Sequence, residues 1–277
     1  MEPTFVFAAG ANGVSAAPVE LLLRGYRGVG VPQPGGQFRR SYQAPQDLTA
    51  FATEPSPLAG RTVADDVAAT VEVIRRVAGH GPVVLVGASI GGALITLAAE
   101  QVPELVSTLV YDTAFCCVDL ATPGDYLATP EAADSQGGAL LGFAAADPAV
   151  VGALRCNWRT ASEPLLTAAY QALAADSTEA EFYALLNSLS PDDLADRGAT
   201  DSRGTPERWG RIPRVYVRHL QDRLLPPALQ NRMIREADAA TPGNPFVVHD
   251  LDTAHFPSAA GMSELVEILD GVGRGLS

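Results

Sequence analysis

The chain has 277 residues, 47% of them hydrophobic and 18% charged, which suits a folded protein with one sizeable core or one core carrying an inserted subdomain. A formal charge of −13 argues against nucleic acid or an anionic membrane as partner, because both are bound through basic patches. Every basic side chain of the Lys/Arg set is arginine, which removes Schiff-base lysines and Ser–Lys dyads from the possible chemistries.

Three cysteines, Cys116, Cys117 and Cys156, are an odd number without CxxC spacing, so neither a disulfide framework nor a zinc site is expected. A reducing compartment fits, and the acidic Glu2 stands where a secretory leader would carry positive charge, so the expected location is cytoplasmic. No apolar run reaches the length of a membrane span.

In chain order, "TFVFAA" (Thr4 to Ala9) reads as a buried strand followed by the turn-like "GANG". Glu20 to Gly36 reads as a helix end, a short strand around Gly28 to Val31 and a Pro/Gly loop. From Thr62 a helix is expected, with Asp65 completing a capping box and Val63, Val67, Val71 and Ile74 on one face. "PVVLVG" is a central strand, the helix after Ser89 runs to about Glu100, and Leu105 to Phe115 gives another strand. Near the other end, Ile212 to Leu220 and Pro245 to Leu251 are strands, each leading to a helix. Strands alternating with helices predict an α/β fold, a mainly parallel sheet with helices on both faces.

Between Val118 and Trp209 the pattern is mainly helical, without a clear strand. Phe182, Leu185, Leu186 and Leu189 recur with helical spacing behind a Thr178/Glu181 capping pair, and Ser190-Pro191 with Asp193 reads as the start of another helix. The organisation expected is a core of residues 1–117 and 210–277 with a helical cap inserted at 118–209, over the sheet edge where open α/β sheets bind ligands.

"VVLVGASIGG" places Ser89 between Gly87 and Gly91 where a strand ends and a helix begins. That context turns a weak G-x-S-x-G match into a nucleophile elbow, a strained turn that lifts a hydroxyl above the sheet and needs glycines where side chains would strike backbone. An alkyl alcohol needs a base, and the base an orienting acid, which follow a nucleophile elbow in the order acid, then histidine. Of four histidines, His80 precedes the nucleophile strand, His219 and His249 fall within strands, and His255 alone follows the last strand in a loop, "DTAHFPS". For the acid, Asp222 lies just past its strand in "RHLQDRLLPP", with Asp112, after the strand of "VYDTAF", the rival and Asp250 and Asp252 too near His255 in sequence. The backbone N–H groups of Ala11 and Ile90 are the expected oxyanion hole, and Asn12, Phe115, Cys116 and Trp158 the expected pocket residues.

With these residues in place, the chain resembles the α/β-hydrolases, and within them the branch of plant methylesterases, hydroxynitrile lyases and their bacterial esterase relatives. "FVFAAGANG", "VVLVGASIGG", "RWGRIPRVYVRHLQDRLLPPALQNRMI" and "DTAHFPSAAGMSELVEIL" carry the resemblance over nearly the whole chain. It implies an α/β-hydrolase fold with a sheet of about six strands. Ala9-Gly10 stands where that family has His-Gly, Ala88 where it has histidine before the nucleophile, and Phe256 where its lysine-dependent lyases carry lysine.

The expected function is hydrolysis of a small-to-medium, mainly apolar carboxylic ester through an acyl-enzyme on Ser89, with His255 as base and Asp222 orienting it. A lyase, cyclase or thioesterase on the same fold, or a non-catalytic ligand receptor, is the alternative. Neither cofactor nor metal is implied; the expected partner is a small-molecule substrate, and a homodimer is compatible with the sequence.

Overall fold

The structure is a computed structural model and describes residues 2–13, 15–32, 40–43 and 46–277. Strands β1 (Thr4–Ala8), β2 (Arg27–Gly30), β3 (Val83–Ala88) and β4 (Thr108–Asp112) come first, and the two-residue strands β5 (Leu154–Arg155) and β6 (Asp192–Asp193) lie in the long intervening segment. Strands β7 (Arg214–His219) and β8 (Val247–Leu251) complete a six-stranded sheet in the order β2-β1-β3-β4-β7-β8, in which every pairing is parallel. The α/β-hydrolase architecture expected from the sequence is therefore present. The Pro/Gly loop expected to run to Gly36 lies, from residue 33 onward, outside the described residues.

Successive side chains of a strand leave on opposite faces, and the two cores follow that period. Val83 and Leu85 of β3 and Leu109 and Tyr111 of β4 enter one cluster, whereas Val84, Val86 and Val110 enter the other. Helices α1 (Val63–Ala78) and α2 (Gly91–Gln101) cover the first face; α1 buries the expected stripe Val63, Val67, Val71 and Ile74. Ile74 is fully buried, worth roughly 1.5–3 kcal/mol relative to an exposed side chain. The Thr62 N–H donates to Asp65 Oδ2 at 2.9 Å, the reciprocal arm of the capping box.

Between β4 and β7 the chain builds a third cluster, in which Phe143, Trp158, Phe182 and Leu186 pack with Tyr42 and Phe51. This segment includes helices α3 (Glu163–Leu173) and α4 (Glu179–Ser188). The helix expected to start at Ser190-Pro191 does not form. Asp192 and Asp193 instead pair antiparallel with Leu154 and Arg155. The Arg155 guanidinium grips the Asp192 carboxylate through Nε at 2.7 Å and Nη2 at 2.9 Å, and both side chains are buried. A buried charge stripped of its partner is so costly that this ion pair decides the local backbone over the helix-start signal.

Helix α5 (Pro227–Ala240) follows β7 and packs Leu229 and Met233 into the first core. Helix α6 (Ala259–Arg274) follows β8 and buries Leu265, Val266 and Leu269 in the second.

Two glycines fix how closely α2 can approach the sheet. A Cβ at Gly87 would stand 2.6 Å from the Gly91 carbonyl oxygen, and one at Gly91 would stand 2.6 Å from that of Ala8. Gly91→Ala is expected to cost about 1–3 kcal/mol by forced backbone shift, lowering Tm by several degrees. Gly138→Ala, where an added Cβ meets nothing within 4 Å, should leave Tm within about 1 °C, and paired thermal melts check both.

Candidate active site

Ser89 sits between the last residue of β3 and the first turn of α2 with φ 54°, a left-handed backbone that non-glycine residues rarely adopt. The backbone holds this turn from three sides. The Ser89 N–H donates to the Asp112 carbonyl at 3.2 Å, and the Ser89 carbonyl accepts from Gly92 at 3.1 Å and Phe115 at 2.9 Å. The parallel register puts Ala88 beside Asp112, so the ends of β3 and β4 are tied together directly under the hydroxyl-bearing residue.

His255 and Asp222 come from the loops after β8 and β7, adjacent strands of the sheet. His255 Nδ1 lies 2.6 Å from Asp222 Oδ2, and both side chains are almost fully buried. The Thr113 hydroxyl donates to the same oxygen at 2.5 Å, while the amides of Leu224 and Leu225 donate to Oδ1 at 2.7 and 2.9 Å. Burial opposes a charge on Asp222, but the neighbouring imidazole, its hydrogen bond, the Thr113 hydroxyl and the Leu225 amide outweigh it and hold this carboxyl below its usual range. Such a carboxylate fixes a proton on His255 Nδ1 and leaves Nε2 as the acceptor nitrogen.

Ser89 and His255 line one cavity of about 460 Å³ together with Ala11, Asn12, Asp112, Thr113 and Trp158. Much of the rest of its wall is apolar, including Leu140, Leu173, Leu185, Leu224 and Phe256. Ile90, at the N-terminus of α2, turns its side chain to the core. Asn12 has φ 53°, and its side-chain amide donates to the Ser190 carbonyl at 2.9 Å while its backbone N–H donates to Asp193 Oδ2 at 2.9 Å. Arg197, paired with Asp193 and Asp66, reaches the carbonyls of Ala9 and Gly10. The loop after β1 is thereby strapped to the segment that follows α4.

Phe115 and Cys116 are not in the cavity wall. They are buried in the first core, Phe115 drawn inward by the hydrogen bond its N–H donates to the Ser89 carbonyl and Cys116 by an amide contact with the Met233 sulfur at 3.4 Å. Trp158 does reach the cavity, with its indole N–H donating to the Ser190 carbonyl at 3.0 Å. His80 is exposed and His249 half-buried. Among the described residues there is no cluster of three potential metal ligands, and no helix is long and apolar enough to cross a membrane.

Asp112, by sequence the rival partner for the base, has a histidine of its own. His219 Nε2 is 2.9 Å from Asp112 Oδ1, and His219 Nδ1 is 2.8 Å from the Ala254 carbonyl, the residue next to His255. Burial pushes the His219 pKa down, but the Asp112 charge and the hydrogen bonds to Asp112 and Ala254 outweigh it and raise it. A histidine whose pKa is higher folded than unfolded stabilises fully below the unfolded value of about 6.5 and loses that contribution as pH rises through the folded value. The stability gap between the wild-type protein and His219→Gln should therefore be widest near pH 6 and shrink toward pH 9 in denaturant titrations. A gap constant with pH would contradict a charged His219.

The family model described as the alpha/beta hydrolase family matches residues 3–268. A search of curated proteins finds no significant match. Among solved structures, a pyrethroid hydrolase from Sphingobium faniae JZ-2 is similar, with 21% identity, 99% of this chain and 97% of that chain covered, and a TM-score of 0.68. An extracellular alpha/beta-hydrolase from a Paenibacillus species, described as sharing structural and functional homology with tobacco salicylic acid binding protein 2, has 16% identity, coverage of 98% and 99%, and a TM-score of 0.65. Tomato methylketone synthase I, solved with 2-tridecanone, has 15% identity, complete coverage of both chains and a TM-score of 0.63. At these identities the solved structures bear on fold alone, whereas the family model spans nearly the whole sequence: the chain belongs to the alpha/beta hydrolase family.

Proposed function

We propose that this protein is a serine hydrolase that cleaves a small-to-medium, mainly apolar carboxylic ester through an acyl-enzyme on Ser89. The observation that carries the proposal is the meeting of a strained serine and a carboxylate-backed imidazole on the wall of one largely apolar cavity. Membership of the alpha/beta hydrolase family supports the reaction class.

In this reading His255 Nε2 takes the Ser89 proton as the oxygen attacks the ester carbonyl. Asp222 keeps the other imidazole nitrogen protonated and stabilises the imidazolium that forms. The tetrahedral oxyanion rests on the N–H groups of Ala11 and Ile90, the latter at the positive end of α2, each worth roughly 2.7–4 kcal/mol to the transition state. The imidazolium then protonates the leaving alcohol. Water attacks the acyl-enzyme with the same nitrogen as base, and Ser89 is released with the acid product. The segment 118–209 serves as a cap that contributes Trp158 and Leu173 to the cavity and limits the water within it.

The test is steady-state hydrolysis of short-chain aryl and methyl esters. Ser89→Ala should abolish turnover, and Asp222→Asn should lower kcat by about 10⁴ through loss of the correct tautomer. Full turnover by Ser89→Ala would overturn the mechanism. Because the Asp222 carboxyl is held below its usual range, the pH profile of wild-type activity should show no step from Asp222 in the ordinary carboxylate range.

A further inference from the structure

The cavity wall contains several polar side chains, and most are already turned to protein partners. Asn12 donates to the Ser190 carbonyl at 2.9 Å, the Ser15 hydroxyl accepts from the Ala9 amide at 3.0 Å, and the Thr113 hydroxyl donates to Asp222 at 2.5 Å. Ser89 and His255 are assigned to the proposed reaction. Asp112 is different. It meets His219 through Oδ1, retains 11% of its side-chain exposure and lines the same cavity.

The protons on this pair follow from its partners. A carbonyl oxygen can only accept, so His219 Nδ1, 2.8 Å from the Ala254 carbonyl, carries a proton. The contact between Nε2 and Asp112 Oδ1 then also contains a proton, which makes the pair an imidazolium and a carboxylate, or their neutral equivalents, with no net charge in either form. The raised His219 pKa favours the charged form. The result is an acceptor oxygen of high strength inside an apolar cavity, with its countercharge built in behind it. A neutral hydroxyl can bind such an oxygen without leaving a net charge buried, whereas an ammonium group would bring in a charge that nothing further compensates.

Placement sets where on the ligand that hydroxyl sits. Asp112 stands opposite Ala88 in the parallel register, and its carbonyl accepts the Ser89 amide at 3.2 Å. One strand spacing, about 4.8 Å, therefore separates it from the end of the nucleophile strand. We propose that Asp112, backed by His219, is a recognition site for a hydroxyl group that the substrate carries within a few carbons of its reacting carbonyl. The proposal rests on the hydrolase reading for the word substrate, but the binding it asserts needs no turnover.

The test accordingly uses ligands that an esterase does not cleave. N,N-dimethylhexanamide, its 2-hydroxy and 3-hydroxy derivatives and its 3-ammonio derivative are titrated into the full chain by ligand-observed NMR. At least one hydroxylated amide should bind the wild-type protein about 10-fold or more tighter than the parent, the scale of a hydrogen bond to a charged group. Asp112→Asn should cut that preference to roughly 3-fold or less, since a neutral amide oxygen is the weaker acceptor, and Asp112→Leu should abolish it. If the leucine variant fails to fold, as a melt would reveal, the asparagine variant decides alone. The inference is overturned if no hydroxylated amide gains over the parent, if the gain is unchanged in Asp112→Asn, or if the ammonium compound binds tightest. Loss of the hydrolase reading through an active Ser89→Ala would leave these binding results intact, so the two failures can be told apart.

Discussion

The turn at Ser89 is the constraint on which the site depends. A serine with φ 54° is held at the seam of β3 and α2 only because Gly87 and Gly91 let helix and sheet backbones approach to distances that a Cβ would forbid. Three backbone hydrogen bonds, to Asp112 and from Gly92 and Phe115, then lock the turn. The strain is of the order of 1–3 kcal/mol and is sustained by packing on both faces of the sheet. Without that closeness α2 would stand away from the sheet.

Around this turn the molecule brings together pieces distant in sequence by using the sheet edge as a common rim. Asp112 ends β4, and Asp222 and His255 follow β7 and β8, its neighbours in the sheet, so the three converge although more than a hundred residues separate the first from the second. The result is two carboxylate–imidazole pairs side by side. Asp222 with His255 has a ring that borders the cavity, while Asp112 with His219 has a ring fully buried and a carboxylate that borders it. Each pair exposes the member that the other conceals. The segment between β4 and β7 is held together by the buried Arg155–Asp192 pair and joined to this rim by Arg197, which pairs with Asp66 and reaches the carbonyls of Ala9 and Gly10.

Much of this was legible in the sequence because local patterns and tertiary needs agree there. The period of Val67, Val71 and Ile74, the apolar run of β3 and the glycines about Ser89 each have one plausible packing, and the place of His255 after the last strand sets it at the cavity wall against Asp222. The lapses fall where a long-range partner decides. A helix was expected at Asp193, but Arg155 is 37 residues from Asp192, and no local signal announces their pairing. Phe115 and Cys116 were expected in the pocket because they follow a strand; the Ser89 carbonyl draws the Phe115 amide inward, and the chain turns into the core. Thr113, at φ 37°, and His219 carried no cue beyond their positions at strand ends, since a strand histidine reads equally as surface or core.

The central claim is that the Ser89 oxygen is nucleophilic because the imidazole of His255 stands ready to take its proton. Stoichiometric reaction with a fluorophosphonate, followed by peptide mass spectrometry, tests this most directly. The account predicts a single phosphonyl adduct on Ser89, formed at least about 10²-fold more slowly when His255 is replaced by alanine. An adduct on another residue, no adduct, or an unchanged rate in the alanine variant would contradict it.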